Sequence, residues 1–78
     1  MGRDRNKVKR HTNTPERATM DEIIAMPALI DTYEGGSITG ETPLQVAKSC
    51  AAGKYPAVKV GRGWRINKAK FLEVVGLA

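Results

Sequence analysis

The chain holds one cysteine and one histidine in 78 residues, and each shortage closes off a class of chemistry. Cys50 cannot form a disulfide within its own chain, and its place on the apolar side of a helical segment makes it a structural thiol suited to a reducing compartment. His11 stands in a polar, basic stretch with no second ligand at metal spacing, so no metal site is expected. No apolar run approaches membrane-spanning length and no signal-peptide core is seen near the N-terminus. A soluble, cytoplasmic protein without membrane contact is expected. Also missing are a Ser/His/Asp grouping, paired carboxylates in a pocket context and a Walker loop, so neither catalysis nor a cofactor is expected.

What the chain does have is segregated charge. Thirteen lysines and arginines stand against eight aspartates and glutamates, a net charge of +5. Residues 1–19 carry six basic and two acidic groups, residues 20–40 four acidic and no basic ones, and residues 41–70 seven basic and one acidic. A basic surface set against an acidic block favours a polyanion on one side and a neighbouring copy on the other. Residues 1–18, rich in charge and with Val8 almost their only apolar side chain, are expected to form a disordered basic arm. Residues 19–78 are left to form one small domain.

Within that domain, Thr19 and Glu22 fit a capping box that starts a helix. Ile23, Met26, Ile30 and Tyr33 share its apolar face, with a kink or restart at Pro27 and an end at Gly35-Gly36. Residues 37–41 read as a loop. Thr42-Pro43-Leu44-Gln45 is a second capping box with proline at the favoured first position. Winding residues 43–52 at the helical period puts Leu44, Val46, Ala47, Cys50 and Ala51 on one side and Gln45, Lys48, Ser49 and Ala52 on the other. The second side has the small and polar residues that suit a major groove. Gln45 either reads an adenine edge or holds the helix end, Lys48 suits guanine or phosphate, and Ser49 adapts to either.

Residues 53–66, GKYPAVKVGRGWRI, join that helix to a two-stranded basic hairpin. Val58, Val60, Trp64 and Ile66 are placed on its apolar face, and Gly61-Arg62-Gly63 supplies the turn. Lys59, Arg62 and Arg65 are left outward or at the tip, where Gly63 lets the main chain approach a groove or a phosphate backbone. Trp64 reads as a core anchor. Asn67 caps a last helix with an apolar stripe of Phe71, Leu72 and Val75 and a stop at Gly76. Lys54 reads as a DNA-backbone contact, and Lys68 and Lys70 are either phosphate contacts or solubilising charges.

The run Gly53, Lys54, Pro56, Ala57, Val58, Val60, Gly61, Trp64, Arg65 and Ile66 resembles the excisionase family, winged helix-turn-helix proteins related to MerR-type DNA-binding domains. The resemblance spans residues 42–75. It implies an α+β fold with a two-stranded wing, double-stranded DNA as ligand, and a recognition helix bearing Thr42, Gln45, Lys48 and Ser49. Members often have a threonine and an arginine where this chain has Gln45 and Lys48, and an aromatic residue where it has Ala47. They also reach the recognition helix through a short turn, whereas residues 26–42 here contain Pro27, a helical run and a glycine-rich loop. Beside a wing, the arm residues Arg3, Arg5, Lys7, Lys9, Arg10 and Arg17 read as a second contact to phosphate or an A·T-rich minor groove.

As an excisionase, the protein would bind tandem sites beside an attachment site in the nucleoid, associate head to tail, bend the DNA and direct a partner integrase, a tyrosine recombinase, toward excision. A small transcriptional regulator of a mobile element has the same residues. A protein-interaction adaptor whose basic arm meets an acidic partner is the reading from another class.

Overall fold

The computed structural model describes residues 13–78. Arg3, Arg5, Lys7, Lys9, Arg10 and His11 lie outside the described residues. From there on the fold is α+β, with four helices and one three-stranded antiparallel sheet. No described helix is long and apolar enough to cross a membrane, and no metal-ligating cluster occurs among the described residues.

The first described helix, α1 (Met20–Ala25), starts as its sequence dictates: Thr19 Oγ1 accepts from the Glu22 N–H at 3.2 Å, and Glu22 Oε1 accepts from the Thr19 N–H at 2.8 Å. Met26 is extended because Pro27 disfavours helical geometry in the residue before it. The chain then departs from the expected helical continuation. Leu29–Ile30 forms β1, and Asp31 opens a new helix, α2 (Thr32–Thr39), through a second capping box with Glu34.

Gly35 and Gly36, expected to end a helix, lie inside α2 and are buried. The reason is close approach. A Cβ on Gly35 would sit 3.2 Å from Ile66 Cδ1 and 3.3 Å from Val46 Cγ1, and one on Gly36 would overlap the Glu41 carbonyl oxygen. Gly40, with φ of 87°, supplies the left-handed end instead. The expected loop over residues 37–41 is therefore mostly helix. Only Gly40, Glu41 and Thr42 separate α2 from α3 (Pro43–Ala51), so the short turn that the sequence seemed to lack is present.

After α3, strands β2 (Ala57–Val60) and β3 (Gly63–Asn67) form a hairpin whose two-residue turn has Gly61 at φ 61°, the glycine-first pattern of a II′ turn. β1 pairs with the other edge of β3, Ile30 facing Ile66, so the sheet order is β1-β3-β2. The expected two-stranded wing thus has a third strand at its root. Ile30 drives this: it is completely buried, which a strand in contact with Ile66 provides. Asn67 then caps α4 (Lys68–Val74) by accepting from the Lys70 N–H at 3.0 Å.

One core unites these elements: Ile23 of α1, Ile30 of β1, Ile38 of α2, Val46 and Cys50 of α3, Ile66 of β3 and Phe71 of α4. Fully burying each large side chain contributes roughly 1.5–3 kcal/mol, which is what offsets chain entropy in so small a unit. The chain is tied to the domain before Thr19, within the stretch expected to be arm. Pro15 is buried beside Gly36, the Ala18 N–H donates to the Ser37 carbonyl at 2.9 Å, and Arg17 Nη2 donates to the Ile38 carbonyl at 3.0 Å.

Candidate nucleic-acid interface

Residues 42–70 contain seven basic side chains and no carboxylate. α3 holds the first of them. Thr42 Oγ1 accepts from the Gln45 N–H at 3.2 Å, while Gln45 Oε1 accepts from the Thr42 N–H at 2.9 Å. The Gln45 carbonyl is thus committed to the cap and its amide nitrogen is the part left for a ligand. Gln45 and Lys48 are exposed; Thr42 and Ser49 are half-buried, which leaves them less reach than the sequence pattern implied.

Pro43, Val46 and Cys50 are the residues of α3 that are buried. Leu44 and Ala51, expected on the apolar side, are exposed, Leu44 at 47 %. The outward face of α3 therefore presents Leu44, Gln45 and Lys48 together. An exposed leucine beside a polar pair is the kind of surface that meets a thymine methyl next to hydrogen-bonding base edges.

In the hairpin the pairing register corrects the expected faces. Lys59 pairs with Trp64 and Val58 with Arg65, and paired residues share a side of the sheet. Lys59 thus lies on the side of Trp64 and Ile66, with its ammonium 5.1 Å from the Trp64 ring centre, a cation–π contact. Val58 and Val60 lie on the opposite side with Arg65, 61 % and 52 % exposed. Buried Ile66 decides this, because fixing it inward fixes every neighbour by alternation.

The outer side of the sheet is consequently apolar and basic at once. A shallow depression of about 250 Å³ is lined by Leu29, Pro56, Val58, Arg65, Asn67 and Lys70 among others, with no acidic residue in its wall. Arg62, at the tip, is exposed, and Arg65 Nη1 donates to the Trp64 carbonyl at 3.3 Å. Lys54 is exposed just after α3.

Lys68 is different. Its ammonium donates to the carbonyls of Ile23 at 3.1 Å, Ile24 at 3.2 Å and Met26 at 2.8 Å, closing the C-terminal end of α1. Its role is internal, which leaves Lys70 as the exposed lysine of the pair. The exposed basic residues of 42–70 are therefore Lys48, Lys54, Lys59, Arg62, Arg65 and Lys70, of which Lys59 lies against Trp64.

Two further groups position this surface and were not singled out from sequence. The Tyr55 hydroxyl donates to Glu41 Oε1, and Thr39 Oγ1 donates to the same oxygen at 2.8 Å. Tyr55 packs edge-on against Phe71, with ring centres 4.8 Å apart. Burial pushes the Cys50 thiol up from its ordinary pKa, and the nearby Glu41 carboxylate adds to the effect. This is the electrostatics of an inert core thiol rather than a nucleophile. The chain matches no protein-family model, no curated protein and no solved structure, so the reading of this surface rests on its own chemistry.

Proposed function

We propose that the protein is a non-catalytic, sequence-specific DNA-binding protein of winged helix-turn-helix type, with α2 and α3 as the helix pair, α3 as the recognition helix and the β2–β3 hairpin as the wing. The observation that carries this reading is the composition of residues 42–70: seven basic groups, no acidic one, and five of the basic groups exposed without a role in the core. Three features support the division of labour. α3 offers Leu44, Gln45 and Lys48 for base edges, Arg62 sits on a glycine turn able to approach a minor groove, and Lys54 and Lys70 are left for phosphate.

The role consistent with the resemblance is that of an excisionase: several copies on tandem sites, arranged head to tail, bend the DNA and bias a partner integrase toward excision. One helix and one wing contact little DNA, so a single copy is weakly specific and occupancy depends on neighbours. Bending a short site costs on the order of 1–6 kcal/mol, which several bound copies offset.

Binding to duplex DNA across a salt series tests the first part. With five or six phosphates neutralised, log K falls against log salt with a slope of about −5, from roughly −0.9 per contact. A slope near zero would return the protein to the adaptor class. Lys48→Ala should weaken a target site by roughly 1–3 kcal/mol and leave random duplex unchanged, whereas Arg62→Ala should lower both. Footprints that grow stepwise over direct repeats support the excisionase role; a stable two-fold dimer protecting an inverted repeat in one step would make the protein an ordinary repressor.

A further inference from the structure

The two most exposed large apolar side chains among the described residues are Ile24, at 69 %, and Val58, at 61 %. Single exposed apolar residues are ordinary, but neither of these stands alone. Met20 lies one helical turn before Ile24 on the outward side of α1, with exposed Asp21 beside both, while Ile23 takes the core side. Val58 shares the outer side of the sheet with Val60 and with Leu29, the partner of Asn67, and each is more than half exposed. An antiparallel sheet with one face on the core ordinarily turns polar residues to the other. This sheet turns out aliphatic ones.

The two apolar strips carry opposite charge. Residues 20–40 hold four carboxylates and no basic group, and Asp21 and Glu22 stand in the first turn of α1. On the outer sheet face Arg65 pairs across from Val58, and the depression there has Arg65 and Lys70 in its wall and no carboxylate. The strips also match in size. The six residues of α1 span about 9 Å and the four of β2 about 13 Å.

We propose that the α1 strip of Met20, Asp21 and Ile24 docks on the outer sheet face of a second copy, with Ile24 in the depression beside Val58 and Asp21 against Arg65. A second copy is the occupant because one chain carries both halves of the contact, matched in polarity and opposite in sign. Two like halves would set like charges together. α3 packs on the other side of the sheet, where Val46 and Cys50 join Ile66 in the core, so a docked copy leaves the outward face of α3 uncovered. The contact is smaller than a standard interface, so free copies associate weakly and copies aligned on one duplex associate more strongly. That last consequence rests on the DNA-binding reading; the contact itself does not.

The test uses the full chain and no DNA. An I24C protein and a 15N-labelled V58C protein are mixed at low salt and gently oxidised, and the linked dimers are told apart by mass; Cys50 is buried and stays out of the reaction. Random collision yields mixed and like dimers in a ratio fixed by concentration. Docking should raise the mixed dimer about tenfold above that ratio, and about 0.5 M salt should reduce the excess. D21K in the first protein or R65E in the second should remove it. The two charge reversals together should restore it, which also shows that both variants fold. A mixed dimer at the random ratio, or an excess indifferent to both reversals, overturns the proposal. An I24C/V58C double variant then reports the arrangement: a ladder of linked copies supports the contact and the tandem role together, whereas products that stop at the dimer support the contact as a reciprocal pair and count against the head-to-tail role.

Discussion

The Tyr55 hydroxyl donates a 2.6 Å hydrogen bond to Glu41 Oε1, tying the turn between α2 and α3 to the segment that leads from α3 into the sheet. Both ends of α3 are thereby fixed to each other through a side chain rather than through the helix itself. Burial, followed by the bond to Glu41, pushes the Tyr55 pKa from 10.0 up to about 12.

Tyr55→Phe should therefore destabilise the protein by about 1 kcal/mol at neutral pH, the ordinary net worth of such a bond at a partly exposed site. The folded-state pKa is the raised one, so the contribution is complete below pH 10 and is lost as pH rises toward about 12. Urea denaturation of both proteins between pH 8 and 12 checks this. A gap that stays constant to pH 12 would contradict the assigned bond.

Lys68 and Lys70 provide a second test, because sequence treats them alike and the structure does not. Lys68→Ala removes the ammonium from three carbonyls at the end of α1 and should cost roughly 1–2 kcal/mol of stability. It should leave the salt slope of DNA binding unchanged. Lys70→Ala should do the reverse, with stability preserved and the slope smaller by about 0.9.

Glycine inside α2 is testable by filling it. Elsewhere in a helix Gly→Ala gains about 1 kcal/mol of helix propensity. At Gly36 the new methyl meets the backbone of Glu41, which cannot yield without moving the turn, so Gly36→Ala should lower stability by roughly 1–3 kcal/mol. At Gly35 the obstacles are the ends of Ile66 and Val46, which can shift by tenths of an ångström. Gly35→Ala should fall near balance, and thermal denaturation of the pair should rank Gly36→Ala clearly lower.

Cys50 should be unreactive in the native protein. It is 5 % exposed, and burial with Glu41 nearby favours the thiol over the thiolate. A thiol reagent at pH 8 should modify it at least about a hundredfold more slowly than in the urea-unfolded chain, because access requires opening of the core. Fast modification in native buffer would show that α3 is not seated as described.

The parts of the fold that were legible in the sequence are those fixed by a few adjacent residues. Thr19 with Glu22, Thr42 with Gln45, and Asn67 each cap the helix that their local chemistry announces. Misreadings arose where distant residues decide. Gly35-Gly36 looks like a helix end until Glu41, Val46 and Ile66 are brought against it. Leu29–Ile30 is too short to show a strand pattern, and its partner lies at the far end of the domain. The hairpin's faces were legible in principle: a two-residue turn at Gly61-Arg62 pairs Val60 with Gly63, which places Lys59 opposite Trp64 and Val58 opposite Arg65. Of the candidate contacts, Lys48, Arg62, Arg65, Lys54 and Lys70 are exposed as their pattern implied; Lys68 was not separable from them, since its carbonyl partners belong to α1.

The pairing of Ile30 with Ile66 also sets an order of assembly. The α2–α3 pair and the β2–β3 hairpin join neighbours in sequence and can form early, whereas β1 must close a loop containing nearly all of them. Two residues of ladder and the Lys68 N–H donating to the Ala28 carbonyl then hold that closure. Amide exchange should accordingly be faster at Ile30 and Lys68 than at the centre of the hairpin. The strand that anchors the hairpin's root is thus both the last piece of the domain to arrive and the first it can release.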